Sequence, residues 1–388
     1  MSELNRYGLT AEQRAELDQI LETLTYATDV ATDRAMPCVA GRVIRNQRER
    51  LSIAGANGIF SATVSGRLRH RIASPLDAPA VGDWVICRRQ TALDGGASSR
   101  GEADEIDDAQ VEAIAPRHSL FVRRSAGRTG EPQVIAANVD RVLIVTAVGN
   151  ELNPRRIERY VTAAWASGAE PLIVLNKCDR TEGVAPLIAE LRSAAPGVPL
   201  VATSALSEAG PVELEAWLDA GSTVAFVGSS GVGKSTLVNR LLKEAALRTH
   251  AVREGDDKGR HTTTHRELFV CPSGLIVIDT PGMREFGLYD AGDALELTFP
   301  DVVALIAGCR FRNCRHRGEP DCAVDEAVRR GVLPRERVQS YLRLVAESAD
   351  GDERSRDAAN REKHRQWKSV TKGMRKRQRL HEKLGLKH

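Results

Sequence analysis

The chain has 388 residues, 42% hydrophobic and 28% charged, a soluble, globular composition with room for two or three domains, each with its own core. No apolar run approaches membrane-spanning length, the N-terminus is too polar for a signal peptide, and the seven cysteines are an odd count; membrane and secreted classes are excluded, and a reducing cytoplasm is expected. The net charge of +3 is uneven: residues 354–388 carry 13 Lys and Arg against 3 Asp and Glu, a local +10 that leaves −7 on residues 1–353.

Residues 1–35 predict an N-terminal helical extension. Leu17, Ile20, Leu21 and Leu24 recur at helical spacing behind Thr10, an N-cap residue with Gln13 three positions on, the pattern of a capping box. From 36 to 116 the texture changes to five short strands, Val39–Ile44, Leu51–Ile53, Phe60–Val64, Asp83–Ile86 and Val111–Ile114, punctuated by Gly55, Gly58, Gly66 and Gly82. Five strands in this space predict an OB-type β-barrel, with residues 91–108 as a loop within it. Such barrels bind nucleic acid in some proteins and are plain scaffolds in others.

From 117 to 290 strand and helix alternate, as in a sheet covered on both faces. Strands are expected at Val142–Val145, Pro171–Leu175, Pro199–Ala202, Thr223–Val227, Glu267–Val270 and Leu275–Ile278, and helices at Arg155–Ser167, Val184–Ala194 and Leu237–Leu242. The strand at Thr223 runs into Gly228, Ser229, Ser230, Gly231, Val232, Gly233, Lys234, Ser235 and Thr236, which fits G-x-x-x-x-G-K-[ST]. The glycines let backbone N–H groups turn toward phosphate, where the helix N-terminus adds a favourable field. Lys234 is placed for the β- and γ-phosphates and Ser235 for Mg²⁺.

Two further stretches select the nucleotide. Asn176, Lys177 and Asp179 form Asn-Lys-x-Asp at the end of a strand. A carboxylate at Asp179 can accept both N1–H and N2–H of guanine, a donor pair adenine lacks, so the base is read as guanine. Ser204 and Ala205 follow the next strand, where small residues let a backbone N–H approach the base oxygen. Asp279, opening Asp279-Thr-Pro-Gly282, is placed to hold Mg²⁺ through water, and Gly282 to sense the γ-phosphate. In the polar loop Gly259–Thr264, one of Thr262, Thr263 and Thr264 supplies a hydroxyl to Mg²⁺, Thr263 being the residue assigned. Loops of this kind are held by the γ-phosphate and released on hydrolysis. The guanine motif precedes the phosphate loop, the reverse of the usual order, which implies a circular permutation of the sheet.

After residue 290 the pattern is helical, interrupted by Cys309, Cys314, His316 and Cys322, which is C-x₄-C-x-H-x₅-C. Three thiolates and one imidazole suit a closed structural Zn²⁺ site with no coordination position left for catalysis. The predicted domains are thus 1–35, an OB barrel at 36–116, a permuted P-loop GTPase at 117–290, a helical zinc-binding domain at 291–350 and a basic tail at 351–388. In the tail, Lys and Arg interleave with Trp367, Val370, Met374, Leu380 and Leu384, which suits contact with RNA phosphates.

Taken in order, these motifs resemble the ribosome small-subunit-dependent, circularly permuted GTPases of the RsgA/YjeQ type. The resemblance runs from about residue 36 to 350 and rests also on Pro79–Val85, Asn138-Val-Asp140 and Ala323-Val324. It implies a cytoplasmic, monomeric GTPase that binds the small ribosomal subunit and its rRNA late in assembly and leaves on hydrolysing GTP to GDP. The alternative is an RNA-binding module whose GTP pocket is regulatory, with negligible turnover. Met283 follows Gly282 where Ras-like enzymes place the water-orienting glutamine, and the family is also apolar there. His261 in the preceding loop is the candidate to act on water instead.

Overall fold

The computed structural model describes residues 3–28, 37–47, 50–89, 109–124, 132–149, 151–207, 210–242, 266–279 and 291–348. The expected loop at 91–108 and the basic tail lie outside them. Among the described residues no helix is long and apolar enough to cross a membrane.

Helix α1 (Ala11–Thr28) opens with the expected capping box. Thr10 Oγ1 accepts the Gln13 N–H (3.2 Å) and Gln13 Oε1 accepts the Thr10 N–H (3.1 Å). Leu17 buries itself with Trp84 and Ile86 on the outside of the barrel. The barrel itself comprises β1 (Cys38–Gln47), β2 (Arg50–Gly55), β3 (Gly58–Val64), β4 (Trp84–Arg88) and β5 (Ala109–Ile114), with α2 (Gly66–Arg71) between β3 and β4. Antiparallel β1–β2 and β2–β3 pairs, a parallel β3–β5 pair, and antiparallel β5–β4 and β4–β1 pairs close the ring. Full closure removes the unpaired edges that a five-stranded sheet would expose.

A hairpin of β6 (Leu120–Arg124) and β7 (Pro132–Ala137) follows, which the sequence reading does not foresee. Its signal is short and carries charge at Arg123 and Arg124, but Phe121, Val134 and Ile135 are buried. The second sheet then orders β10 (Leu200–Ala202), β9 (Glu170–Asn176), β8 (Arg141–Ala147), β11 (Thr223–Val227), β13 (Ile276–Asp279) and β12 (Arg266–Val270). All pairs are parallel except β12–β13. Along β8 the side chains alternate between two cores, Val142 and Ile144 in one, Leu143 and Val145 in the other, which is why these strands read as continuous apolar runs. One core is covered by α3 (Pro154–Ala166) and α4 (Ala185–Ala194), the other by α5 (Gly210–Glu215) and α6 (Lys234–Leu241). Barrel and second sheet share a seam: Arg45 and Asn46 of β1 pair with Glu267 and Arg266 of β12.

The C-terminal unit, α7 (Gly292–Thr298), α8 (Pro300–Ile306), α9 (Ala323–Arg329) and α10 (335–348), extends the core on the α3 side through Phe299, Val302, Val324, Val338 and Leu344.

A buried arginine sits at each junction. Arg42 of β1 is 1% exposed. It donates to Gly82 O (3.1 Å), Asn138 O (3.1 Å), Thr223 Oγ1 (2.9 Å) and Tyr7 O, with Trp84 under its guanidinium. The loop at Gly82 packs so close that a Cβ there would meet Ala137 O at 2.0 Å, and its φ is +96°, so only glycine fits. Arg337 of α10 is 5% exposed. It bonds Glu158 Oε1 (2.9 Å), both Asp301 oxygens, Ala194 O (2.8 Å) and Thr298 O (3.0 Å).

Candidate nucleotide site and metal centre

Strands β9, β11 and β13 run parallel, so their C-terminal ends deliver three loops to one edge of the sheet, where ligands of open α/β sheets bind. Asn176 closes β9, Gly228 follows β11, and Asp279 ends β13. Asn176 is 1% exposed and joins two loops. Its Nδ2 donates to Val232 O (2.7 Å), and its Oδ1 accepts the Ala205 N–H (2.8 Å). Gly233 beside it has φ +98°, and a Cβ there would lie 2.2 Å from Asn176 Nδ2. The second motif glycine of the phosphate loop is therefore fixed by two independent constraints, backbone conformation and close approach.

Lys234 Nζ donates to Gly228 O (2.8 Å) and Ser229 O (2.5 Å), so the loop's own carbonyls hold its ammonium over the loop. Lys177 adopts φ +62° and its ammonium caps Gly231 O at 2.6 Å. Ser235 and Thr236, in the first turn of α6, are exposed. Asp179 is exposed at the guanine loop, and its Oδ1 accepts the Ser204 hydroxyl at 2.5 Å. That contact orients the carboxylate. The Ala205 N–H is used by Asn176 Oδ1, so a base oxygen reaching it would share that donor. Asp279 is exposed at the end of β13. The structure thus brings together Asn176, Lys177, Asp179, Ser204, Ala205 and residues 228–236. His261, Thr262, Thr263, Thr264, Gly282 and Met283 lie outside the described residues.

One contact was not legible beforehand. Arg156, in the first turn of α3, donates to Ser229 Oγ and lies 3.5 Å from Glu151 Oε2. The three basic side chains of Lys177, Arg156 and Lys234 thus rest on phosphate-loop oxygens, a positive rim suited to a polyphosphate.

In the C-terminal unit Cys309, Cys314, His316 and Cys322 place four ligand atoms within 4.8 Å of one another. Cys309 Sγ is 4.0 Å from Cys322 Sγ, and His316 Nδ1 is 3.6 Å and 3.5 Å from the two sulfurs. A tetrahedron with Zn–S near 2.3 Å and Zn–N near 2.0 Å has edges of roughly 3.5–3.8 Å, so the donor set fits a zinc ion in both chemistry and size. The Asp325 N–H donates to Cys322 Sγ (3.4 Å), an outer contact of the kind that steadies a thiolate ligand.

Comparison with known proteins gives a consistent result. The RsgA GTPase family profile matches residues 114–289. The small ribosomal subunit biogenesis GTPase RsgA 1 of Oceanobacillus iheyensis is 40% identical over 356 residues, 92% of this chain and 97% of that protein. YjeQ from Thermotoga maritima superimposes with a TM-score of 0.57 at 25% identity, covering 80% of this chain and 98% of that one. YloQ, a circularly permuted GTPase, gives 0.55 at 22% identity over 83% and 98% of the two chains, a likeness of fold.

Proposed function

Because the chain belongs to the RsgA GTPase family, we propose that it binds the small ribosomal subunit, assists its late maturation in the cytoplasm, and leaves on hydrolysing GTP. The structural observation that supports the GTP part of this reading is Asn176. One side chain ties the guanine loop to the phosphate loop, so base recognition and phosphate recognition belong to one rigid site.

The residues take the following roles. Asp179, oriented by Ser204, takes the guanine N–H pair, and the N–H groups of residues 229–234 take the phosphates. Lys234, already parked on Gly228 O and Ser229 O, moves little to meet the β- and γ-oxygens. Ser235 and Asp279 would hold Mg²⁺, with Thr263 as the loop ligand and Gly282 as the γ-phosphate sensor. When bound, that ion neutralises charge developing on the phosphate oxygens. Cys309, Cys314, His316 and Cys322 hold one structural Zn²⁺, which has no open position for chemistry. Met283 cannot orient water, so His261 is assigned the catalytic role and basal turnover is slow. The chain acts as a monomer, with rRNA as its contact on the subunit.

Phosphate release measured with and without purified small subunits tests the reading. Stimulated release supports it, and GTP binding with no turnover under either condition leaves only a regulatory pocket. Asp179→Asn should shift preference from guanosine to xanthosine nucleotides. Unchanged selectivity would sink the base assignment.

A further inference from the structure

The zinc loop carries an aromatic side chain that the fold does not use. Phe311 is 42% exposed in a segment where Arg310, Arg312, Asn313, Arg315 and Arg317 are exposed as well. A phenylalanine left on a charged surface gains nothing from burial. Its position is nevertheless fixed. Phe311 falls between Cys309 and Cys314 in sequence, the Cys314 N–H donates to Phe311 O (3.2 Å), and the Arg310 guanidinium sits 5.4 Å from the ring centroid.

The carboxylates nearby do not neutralise this surface evenly. Glu319 accepts the backbone N–H groups of Arg315 (3.0 Å) and Arg317 (2.7 Å), and Asp325 accepts that of Gly318 (2.7 Å). Asp321 pairs with Arg310 at 2.7 Å. Among the described residues, Arg312, Arg315 and Arg317 have no carboxylate partner. Arg317 also lines a groove of about 1120 Å³, together with Arg335 and Arg343.

A rigid ring flanked by unpaired guanidinium groups fits an unstacked base with its phosphates. We infer that Phe311 is a stacking platform for an unpaired base of RNA, with Arg312, Arg315 and Arg317 gripping the adjoining phosphates. This rests on the small-subunit reading above and names a contact within it. Charge complementarity favours RNA over a protein partner, because a protein surface would have to supply several carboxylates to the same three arginines.

The test uses the full chain, loaded with a non-hydrolysable GTP analogue, binding purified small subunits over a salt series. Phe311→Ala should weaken binding roughly 10- to 100-fold, the effect of losing one base–aromatic stack, and leave the salt slope unchanged. Phe311→Leu, which keeps apolar volume without a π face, should be as weak, and Phe311→Trp should bind like the unaltered chain. Arg312→Gln and Arg315→Gln should each lower the salt slope by about one. Zinc content and basal GTP turnover, measured on every variant, should not change. A photo-crosslinking phenylalanine analogue at position 311 should label RNA. Full binding by Phe311→Leu, or crosslinking to a ribosomal protein instead, overturns the platform while leaving the small-subunit reading intact. No binding by the unaltered chain overturns both.

Discussion

The two buried arginines hold their junctions by different means. Around Arg42 every acceptor is neutral, three backbone carbonyls and one hydroxyl, and burial pushes its pKa down to about 10. Around Arg337 two of the acceptors are carboxylates, Glu158 and Asp301. The first junction, barrel to GTPase sheet, is a lock made of backbone geometry and remains charged and intact across the physiological pH range. The second, GTPase sheet to C-terminal unit, is a charge cage in which burial raises the Glu158 carboxyl.

The largest separation between the junctions should come from removing the metal. Structural zinc contributes folding free energy directly, on the order of 10 kcal/mol of apparent binding in small sites. Cys314→Ser should abolish zinc content and raise amide exchange across 291–348, while exchange across 132–149 and 210–242 stays slow. Equal acceleration in both regions would show that the junctions are not independent. Arg337→Met comes next. It leaves Glu158 and Asp301 as uncompensated charges and should destabilise by about 3–5 kcal/mol, read by denaturant unfolding. Arg42→Met removes four hydrogen bonds to acceptors, some of which keep other partners, such as Gly82 O with Asn138 Nδ2. A loss of about 2–3 kcal/mol is expected, smaller than for Arg337→Met. A loss as large as that of Arg337→Met would erase the contrast drawn above.

The smallest effect is the most diagnostic. Burial raises the Glu158 carboxyl above the ordinary glutamate range, so the folded chain holds a proton that the unfolded chain has released. Stability is therefore greater below the ordinary glutamate pKa and falls as pH rises through the window up to the raised folded value. Glu158→Gln should flatten that slope and change stability at pH 7 by about 1 kcal/mol or less. An unchanged slope would assign the pH dependence elsewhere.

The phosphate-loop and Cys/His motifs were readable because each is local in sequence and chemically dictated. Gly228 to Ser235 is one turn, and Cys309 to Cys322 is one loop. The barrel strands and α1 were legible through alternation and capping. What could not be read were partners chosen by the fold. Arg42 meets Thr223 at a separation of 181 residues, and Arg337 meets Glu158 at 179, distances over which no periodicity carries information. The Arg156–Ser229 contact is similar. Asn138 and Asp83 were visible as parts of motifs without a reason. The structure supplies one: Asn138 Nδ2 donates to Gly82 O (3.1 Å), and Asp83 holds Arg117 at 2.7 Å.

The seam between β1 and β12 has a mechanical meaning. It comprises two residue pairs, Arg45↔Glu267 and Asn46↔Arg266, reinforced by the Arg45–Glu267 ion pair. Arg266 is the first residue after the segment that carries His261 and Thr263. That segment is therefore moored at one end to the barrel, like a rope made fast to a neighbouring hull. Among the described residues, two residue pairs and one ion pair are all that join barrel and sheet along this edge, so Arg266 takes its place from the barrel as much as from its own sheet.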